Sequence, residues 1–196
     1  YPLANQLSAS GHGSDRDEAI SIGVKRILGG LYPYSYRDNT YFGNPISPLP
    51  GNLLLHLPSQ IILGNTVYTE IFILIASFFL LYKIEKKLAL YTLFACVVSL
   101  EFWHDFLTGG DFATNTLLTF ALCTVYIGNC KKRNFKFILL TGIFLGFVLS
   151  SRIIMLLFLF GIYFGLRVES KILRLIFTFI PLISFLITIL PFYLLN

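Results

Sequence analysis

The sequence predicts an all-α membrane protein, a polytopic bundle of transmembrane helices preceded by a polar segment. Apolar residues make up 56% of the 196 residues, and charged residues only 13%. That charged share is about half the share usual in soluble domains. After Thr66 the charged residues fall in short clusters separated by long uncharged stretches, as expected when lipid surrounds the helices.

A polar segment opens the chain, and residues 1–65 are predicted to form an extracytoplasmic region with a surface helix. Ser14 suits the N-cap of that helix, and the acidic residues after it suit the first turn, near the positive end of the helix dipole. Apolar residues then recur on one narrow face until Gly29 and Gly30 end the pattern. Such a helix is expected to lie along the membrane surface rather than to cross it.

The remainder of the polar region divides into a loop and a short apolar segment. Residues 31–51 hold four prolines and several aromatic residues, which predicts a stiff loop. Residues 53–63 are apolar but too short to cross a bilayer, and they contain Pro58. They are therefore predicted to form a re-entrant or interfacial helix.

Six membrane crossings are predicted in the second region, residues 66–196. Their expected bounds are 66–84, 88–106, 112–127, 137–150, 153–166 and 173–195. Basic clusters flank these spans and are expected to be cytoplasmic. The clusters lie at 83–87, 131–136 and 167–174. Because basic residues are concentrated in these anchoring loops, the net charge of +5 does not indicate nucleic-acid binding.

Residues 137–166 are predicted to make two short legs, because a single crossing would place one basic cluster outside. The outer turn would contain Ser150, Ser151 and Arg152. Each leg covers roughly 21 Å, whereas a bilayer core is about 30 Å thick, so thinning or a water-filled lumen is required. The surface helix, the outer loop at 104–111 and Arg152 then face one extracytoplasmic compartment.

The chain is expected to be part of a longer integral membrane protein. It begins without Met and ends in an apolar run, so at least one further span is expected upstream. A bacterial plasma membrane is the expected location, and the absence of an Asn-x-Ser/Thr sequon from the sequence is compatible with it.

The candidate catalytic residues are Asp15, Asp17 and Glu18. Acidic residues in the first turn of a helix stabilise it by about 0.3–1 kcal/mol each, so their presence alone does not require a catalytic role. Asp17 also follows Ser14 by three residues, the spacing of a capping box. The functional interpretation is that one carboxylate acts as a general base on an acceptor hydroxyl.

The candidate substrate-binding residues on the outer side are Arg152, His104 and Asp111. A guanidinium binds phosphate in a bidentate way, although an arginine at a turn can also simply reach the membrane surface. His104 and Asp111 are predicted to line a polar cavity, and Glu101 is expected to be buried in the second span. With one histidine in this loop and no recurring ligand spacing, a divalent metal is conceivable but not supported, and no cofactor is predicted.

Two tyrosines of the loop, Tyr34 and Tyr36, are candidates for stacking on a sugar ring. They could equally belong to the aromatic belt at the membrane surface. The sequence contains no nucleotide-binding loop, zinc-protease motif or nucleophile elbow.

These features together resemble the C-superfamily of membrane glycosyltransferases, the GT-C fold. In that superfamily an acidic motif, a surface helix, glycine and Tyr-Pro follow the first span. The similar passage here is SDRDEAISIGVKRILGGLYPY, with Asp17 and Glu18 in the motif's place. The passages GNPISPLPGNLLL, GGDFATNTLLTFAL and LLTGIFLGFVLSSRIIMLLFL resemble later helices, with Arg152 where those proteins often carry Lys or Arg. One branch has a Gln-Asn pair where this chain has Asp111 and Asn115.

The resemblance implies transfer of a sugar from a polyprenyl-phosphate donor to an acceptor, with inversion. Asp17 would deprotonate the acceptor hydroxyl, and Arg152 would stabilise the departing polyprenyl phosphate. Two alternatives stay open: a transporter or flippase of a lipid-linked or small polar substrate, and a non-catalytic membrane subunit. A transporter predicts internal repeats and broken helices, and the sequence shows no repeat and Pro58 as its clear interruption.

Overall fold

The structure, a computed structural model, describes residues 15–34, 46–108, 110–166 and 170–194. Their regular secondary structure is entirely helical, which confirms the predicted all-α class. The helices are α1 Asp15–Leu28, α2 Pro50–Leu63, α3 Tyr68–Ile84, α4 Lys86–Val98, α5 Leu100–Leu107, α6 Phe112–Lys131, α7 Phe135–Leu149, a 3₁₀ turn Ile153–Leu156, α8 Leu157–Gly165 and α9 Lys171–Leu194. The predicted N-cap, Ser14, lies outside the described residues.

The predicted surface helix is α1, and it packs against the short helix α2. Ile20 and Val24 on one face of α1 are buried against Leu53. The two helices approach closely at Gly23, where an added Cβ would lie 2.8 Å from a methyl group of Leu53. This contact fixes the acidic first turn of α1 beside the second half of α2.

Helices α2 and α3 form an elbow of 113°. α2 ends at Gly64, which adopts a left-handed backbone (φ 70°), and the Gly64 N–H donates to the carbonyl of Gln60 at 3.0 Å. The short helix predicted around Pro58 is therefore present, although it starts three residues earlier than expected, at Pro50. A proline suits this position because the first helical N–H has no intrahelical partner.

The start of α2 is held against the turn after α7. The Gly51 N–H donates to the carbonyl of Ser150 at 3.2 Å, and the Leu49 N–H donates to that of Ser151 at 3.3 Å. A Cβ on Gly51 would lie 2.6 Å from the carbonyl oxygen of Phe147. This approach brings the first turn of α2 to the turn that carries Arg152.

Replacing Gly51 by alanine is expected to destabilise the fold by roughly 1–3 kcal/mol, because the methyl group would overlap backbone atoms that cannot move aside. The thermal midpoint of the detergent-solubilised protein measures this loss. Gly128→Ala is the matched control, because a Cβ there meets nothing within 4 Å. It should raise the midpoint, since alanine favours a helix. Equal midpoints for the two variants would contradict the close packing at Gly51.

The predicted second span, 88–106, is wrong as a continuous helix. The structure divides it into α4 and α5, which meet at an angle of 75° at Ser99. The Ser99 hydroxyl accepts a hydrogen bond from the N–H of Phe102 at 3.1 Å and so caps a new helix instead of continuing the old one. Glu101 consequently lies exposed in the first turn of α5 and is not the buried carboxylate that the single span predicted.

The break predicted within 137–166 is confirmed. α7 ends at Leu149, Ser150 and Ser151 form a buried turn, and the chain resumes at Ile153 as the 3₁₀ turn that leads into α8. Arg152 itself is extended, with φ −148° and ψ 139°. The side chain of Arg152 therefore emerges from the turn between two helices rather than from a helix face.

The main helix contacts join α7 to α9, α3 to α6 and α6 to α7. Gly146 of α7 allows α9 to approach closely, since a Cβ there would lie 2.5 Å from Ser184. The Ser184 hydroxyl donates to the carbonyl of Ile143 at 2.7 Å, and the Tyr126 hydroxyl of α6 donates to that of Phe177 at 2.5 Å. At the end of α9, the Tyr32 hydroxyl after α1 donates to the carbonyl of Phe192 at 2.9 Å.

Helix length and hydropathy give a smaller number of clear spans than the sequence predicts. In the described part of the chain, α9 alone is long and apolar enough to cross a membrane as one straight helix. The count rises to three if α2 with α3 and α4 with α5 are each one bent span, while α7 and residues 153–165 are shorter apolar helices. Six crossings therefore stay a prediction.

Candidate active site

Polar side chains from four parts of the fold meet where the elbow, the start of α6 and the turn after α7 come together. We call this group the buried polar cluster. It comprises Asn52, His56, Glu70, Asp111, Thr114, Asn115 and Ser151, together with the half-buried Arg152. Polar groups are costly to bury among apolar helices unless they are paired, so their concentration at one place makes this region the candidate site.

Two predicted substrate-binding residues, Arg152 and Asp111, form an ion pair in the cluster. The Nη2 of Arg152 lies 2.5 Å from Oδ1 of Asp111, and Nε lies 3.0 Å from Oδ2, so the contact is bidentate. The Asp111 side chain has no exposed surface and also accepts from the amide groups of Asn52 (2.7 Å) and Asn115 (3.2 Å). The carboxylate thus fixes the guanidinium, and Nη1 makes no hydrogen bond with the described residues.

The second pair in the cluster, His56 and Glu70, was missed by sequence reasoning. Nδ1 of His56 lies 2.8 Å from the carbonyl oxygen of Asn52, and Nε2 lies 2.9 Å from Oε1 of Glu70. The Thr114 hydroxyl donates to the other oxygen of Glu70. Both members were visible as ionisable residues within otherwise apolar segments, which is the signal that could have found them.

Asp17 lines a polar cavity of about 430 Å³ between α1 and the elbow. The polar side chains around it are Asp17, Glu18, Ser21, Lys25, Gln60, Asn65 and Thr66. Burial raises the pKa of Asp17 to about 6, an effect that the charge of His56 partly opposes and the charges of Glu70 and Glu18 reinforce. Asp17 therefore combines access to a cavity with a carboxylate that is more basic than an exposed aspartate.

The structure separates His104 from the cluster. His104 is exposed on α5, and the neighbouring Asp105 is the buried residue instead. Oδ2 of Asp105 accepts from the N–H of Ala113 at 2.7 Å, and Oδ1 lies 3.4 Å from Nη1 of Arg16. The structure therefore does not bring His104 to the buried polar cluster, and the buried acid of this segment, Asp105, contacts Arg16 and the start of α6 instead.

The loop tyrosine Tyr34 also lies away from the Asp17 cavity. Its hydroxyl donates to the carbonyl of Pro48 at 2.9 Å, and its ring packs edge-on against Tyr32 at 5.6 Å. Burial raises the pKa of the Tyr34 hydroxyl. These contacts give Tyr34 a structural role in the loop, while Tyr36 and the side chain of Asp15 lie outside what the structure describes.

No group of three His, Cys, Asp or Glu side chains in the described ranges is arranged to hold a metal ion. No family model, curated protein or solved structure matches this chain. The function is therefore argued from the geometry of the site.

Proposed function

We propose that the protein is a membrane glycosyltransferase that transfers a sugar from a polyprenyl-phosphate donor to an acceptor hydroxyl on the extracytoplasmic face of a bacterial plasma membrane. The observation that carries the proposal is Asp17, a half-buried carboxylate at a polar cavity, close to a cluster that also contains Arg152. The proposal includes the six-span arrangement, because it places both residues on the same side of the membrane.

The reaction assigned to Asp17 is general base catalysis. The acceptor oxygen attacks the anomeric carbon of the donor sugar while its proton passes to a carboxylate oxygen of Asp17. The bond between that carbon and the phosphate oxygen breaks with its electron pair, and polyprenyl phosphate leaves. A base with a pKa near 6 is still ionised at neutral pH and is stronger than an ordinary aspartate, which suits this role.

The cavity at Asp17 suits the acceptor better than the donor phosphate. Asp17 and Glu18 outweigh the single basic side chain there, Lys25, so an anionic group would be repelled. Hydroxyl groups would find hydrogen-bond partners in Ser21 and Gln60. A neutral, hydroxyl-rich acceptor is therefore the proposed occupant.

The donor phosphate is assigned to Arg152, which Asp111 holds in place. Two of the guanidinium nitrogens are used in that ion pair, and Nη1 is the group proposed to reach the phosphate. A guanidinium that is already oriented loses less conformational freedom when it binds phosphate than a flexible side chain does.

Arg152→Lys is expected to raise the KM for the lipid-phosphate donor by roughly tenfold or more, because lysine keeps the charge and loses the planar fork. The KM for the acceptor should change little. Steady-state kinetics of the reconstituted protein, with each substrate varied in turn, measure both values. A larger effect on the acceptor than on the donor would contradict the assignment of Arg152.

The pH dependence of transfer is expected to follow the ionisation of Asp17. The folded protein favours its protonated form, so kcat/KM should fall as pH drops through about 6 and should level off above pH 7. Rates measured between pH 5 and pH 8 at saturating donor test this. A rate that does not change across this interval would exclude Asp17 as the base.

Analysis of lipids that copurify with the protein tests the proposed substrate class directly. Mass spectrometry of the organic extract is expected to find polyprenyl phosphate, or its sugar-linked form, enriched over the bulk membrane lipids. Enrichment should weaken in Arg152→Lys. An extract without polyprenyl phosphates, together with no transfer from any polyprenyl-phosphate sugar supplied, would refute the proposal.

A transporter is the second candidate, and one structural observation favours it. Two helix interruptions, the elbow at 64–67 and the turn at 150–152, lie beside the buried polar cluster. Pro58, which the sequence indicated as an interruption, lies inside the continuous helix α2. Broken helices at a polar site are typical of secondary transporters. Liposomes that accumulate a labelled sugar lipid on the far side without forming a product would favour this candidate over the enzyme.

A further inference from the structure

The hydrogen bonds of His56 determine where its protons are. Nδ1 lies 2.8 Å from a backbone carbonyl oxygen, that of Asn52, and a carbonyl oxygen accepts but never donates. Nδ1 therefore carries a proton. The contact between Nε2 of His56 and Oε1 of Glu70, 2.9 Å long, holds one further proton, because a hydrogen bond needs a proton on one of the two atoms and not on both. Oε2 of Glu70 accepts from the Thr114 hydroxyl and therefore carries no proton itself.

The pair is electrically neutral wherever that proton lies. An imidazolium beside a carboxylate and an imidazole beside a carboxylic acid both sum to zero charge. The Thr114 hydroxyl donates to the second oxygen of Glu70, and such a bond favours the carboxylate. With the proton on His56 the pair is a dipole, positive on His56 and negative on Glu70, and both side chains are almost completely buried.

The packing of α1 on α2 places this dipole beside Asp17. Leu53 of α2 contacts Ile20 of α1, His56 follows Leu53 by one helical turn, and Asp17 precedes Ile20 by about one turn. Gln60, one further turn along α2, lines the same cavity as Asp17. The positive end of the pair is thus on the side of α2 that supports the first turn of α1.

We propose that His56 and Glu70 act as positioning residues for Asp17, and that together they form a buried pair which shares one proton and directs its positive end towards the Asp17 carboxylate. This inference rests on the proposed function for its catalytic meaning, but not for its electrostatics. His56 does not act as a base itself, because both of its ring nitrogens are already engaged.

The other charged groups near Asp17 cannot supply a buried positive charge directed towards its carboxylate. Glu18 and Lys25 lie on α1 and line the cavity, where water screens them. Arg16 is paired with Asp105 of α5. Asn52 lies between His56 and the ion pair of Asp111 with Arg152, and the two charges of that ion pair neutralise each other. The pair differs from these groups because it is buried and because both ring nitrogens of His56 are held by hydrogen bonds.

The protonation of the pair is tested by nitrogen-15 NMR of the protein labelled in histidine. The signal of His56 is expected to show a protonated Nδ1 that does not change between about pH 5 and pH 8, the interval in which an ordinary histidine changes charge. Comparison with His104→Gln, an exposed position, and with His56→Gln assigns the signals. A His56 ring that loses its Nδ1 proton in this interval would overturn the shared-proton arrangement.

The effect on Asp17 is tested by labelling protonated carboxyl groups with a hydrophobic carbodiimide and following Asp17 by mass spectrometry as pH is varied. His56→Gln removes the positive end and leaves the Glu70 carboxylate, so the pH midpoint of Asp17 labelling should rise by roughly one unit or more. The double variant His56→Gln, Glu70→Gln removes both the positive and the negative end of the pair. The pH midpoint of Asp17 labelling should then return most of the way to its value in the native protein. A purely structural role would not produce this reversal.

Ser59→Ala is the matched control, because Ser59 donates to the carbonyl of His56 but carries no charge. It should leave the labelling midpoint unchanged.

If His56→Gln also leaves the midpoint of Asp17 labelling unchanged in protein with a normal thermal midpoint, the proposal fails whatever the reaction is. If labelling shifts as expected but no sugar transfer is found with any donor, the electrostatic inference stands and the proposed function fails. If His56→Gln does not fold, the NMR result on the native protein tests the shared proton, and a His56 ring that loses its Nδ1 proton overturns the proposal.

Discussion

Asp17→Asn is expected to lower sugar transfer by roughly 10²–10⁴-fold, the largest effect predicted for any single substitution here. An amide has nearly the same shape as a carboxylate but accepts no proton at neutral pH. Binding of donor and acceptor should be nearly unchanged, so the loss should appear in kcat. The assay is donor-dependent transfer by reconstituted protein at matched expression.

The same substitution is expected to stabilise the protein at neutral pH. The pKa of Asp17 is raised from 3.8 to about 6 in the folded state, so the fold favours the neutral form. The resulting destabilisation is absent below pH 3.8, grows as pH rises towards 6 and is complete above it. Asp17→Asn should therefore melt higher than the native protein at pH 7.5, and the difference should shrink at pH 5. Lost activity with raised stability would exclude misfolding as the cause.

Glu18→Gln is the control for Asp17→Asn, because Glu18 lines the same cavity. It should retain most of the activity. An inactive Asp15→Asn beside an active Asp17→Asn would move the base two residues towards the N-terminus. If Asp15→Asn and Asp17→Asn were both active, this helix would have no catalytic carboxylate of the kind proposed, and Asp17 would be left with its helix-capping role.

Arg152→Gln is expected to reduce the free energy of unfolding by about 3–5 kcal/mol. The substitution leaves the carboxylate of Asp111 buried with its two amide donors and without its charged partner, and a single buried charge costs more than the pair. Thermal or denaturant unfolding in detergent measures the loss. An unchanged midpoint would mean that Asp111 is hydrated, contrary to its complete burial.

Asp111→Asn in the Arg152→Gln background should recover a large part of that stability, because it removes the uncompensated charge. The double-mutant cycle then gives the coupling between the two side chains. Arg16→Gln provides the comparison, since the Arg16 side chain is 49% exposed and lies 3.4 Å from Asp105. It should cost at most about 1 kcal/mol, the range of exposed ion pairs.

The sequence predicted the features that depend on local pattern. The acidic first turn and apolar face of α1 need no information from the rest of the chain, and the break at Ser151 and Arg152 follows from charge distribution along the sequence. The interruption at Ser99 was missed because a serine within an apolar run breaks a helix only when its hydroxyl finds a backbone partner.

The composition of the site was less predictable than its individual residues. Arg152 and Asp111 were each selected as ligands for a substrate, but their pairing depends on how α6 approaches the turn after α7, which hydropathy does not determine. His56 and Glu70 were missed for the same reason, because each seemed an isolated polar residue until the elbow brought them together. His104 was selected in this segment, whereas Asp105 is its buried side chain, because hydropathy does not show which face of α5 packs inwards.

The hydrogen bond from Tyr32 to the carbonyl of Phe192 joins positions 160 residues apart. At translation rates of about 5–20 residues per second, the segment after α1 is made many seconds before the end of α9 exists. The helix that carries Asp17 must therefore wait, without this anchor, until almost the whole described chain has been synthesised. Docking of the segment after α1 onto α9 is consequently a late event in biogenesis, and chains released before α9 is complete should contain α1 packed on α2 but without its tether to α9.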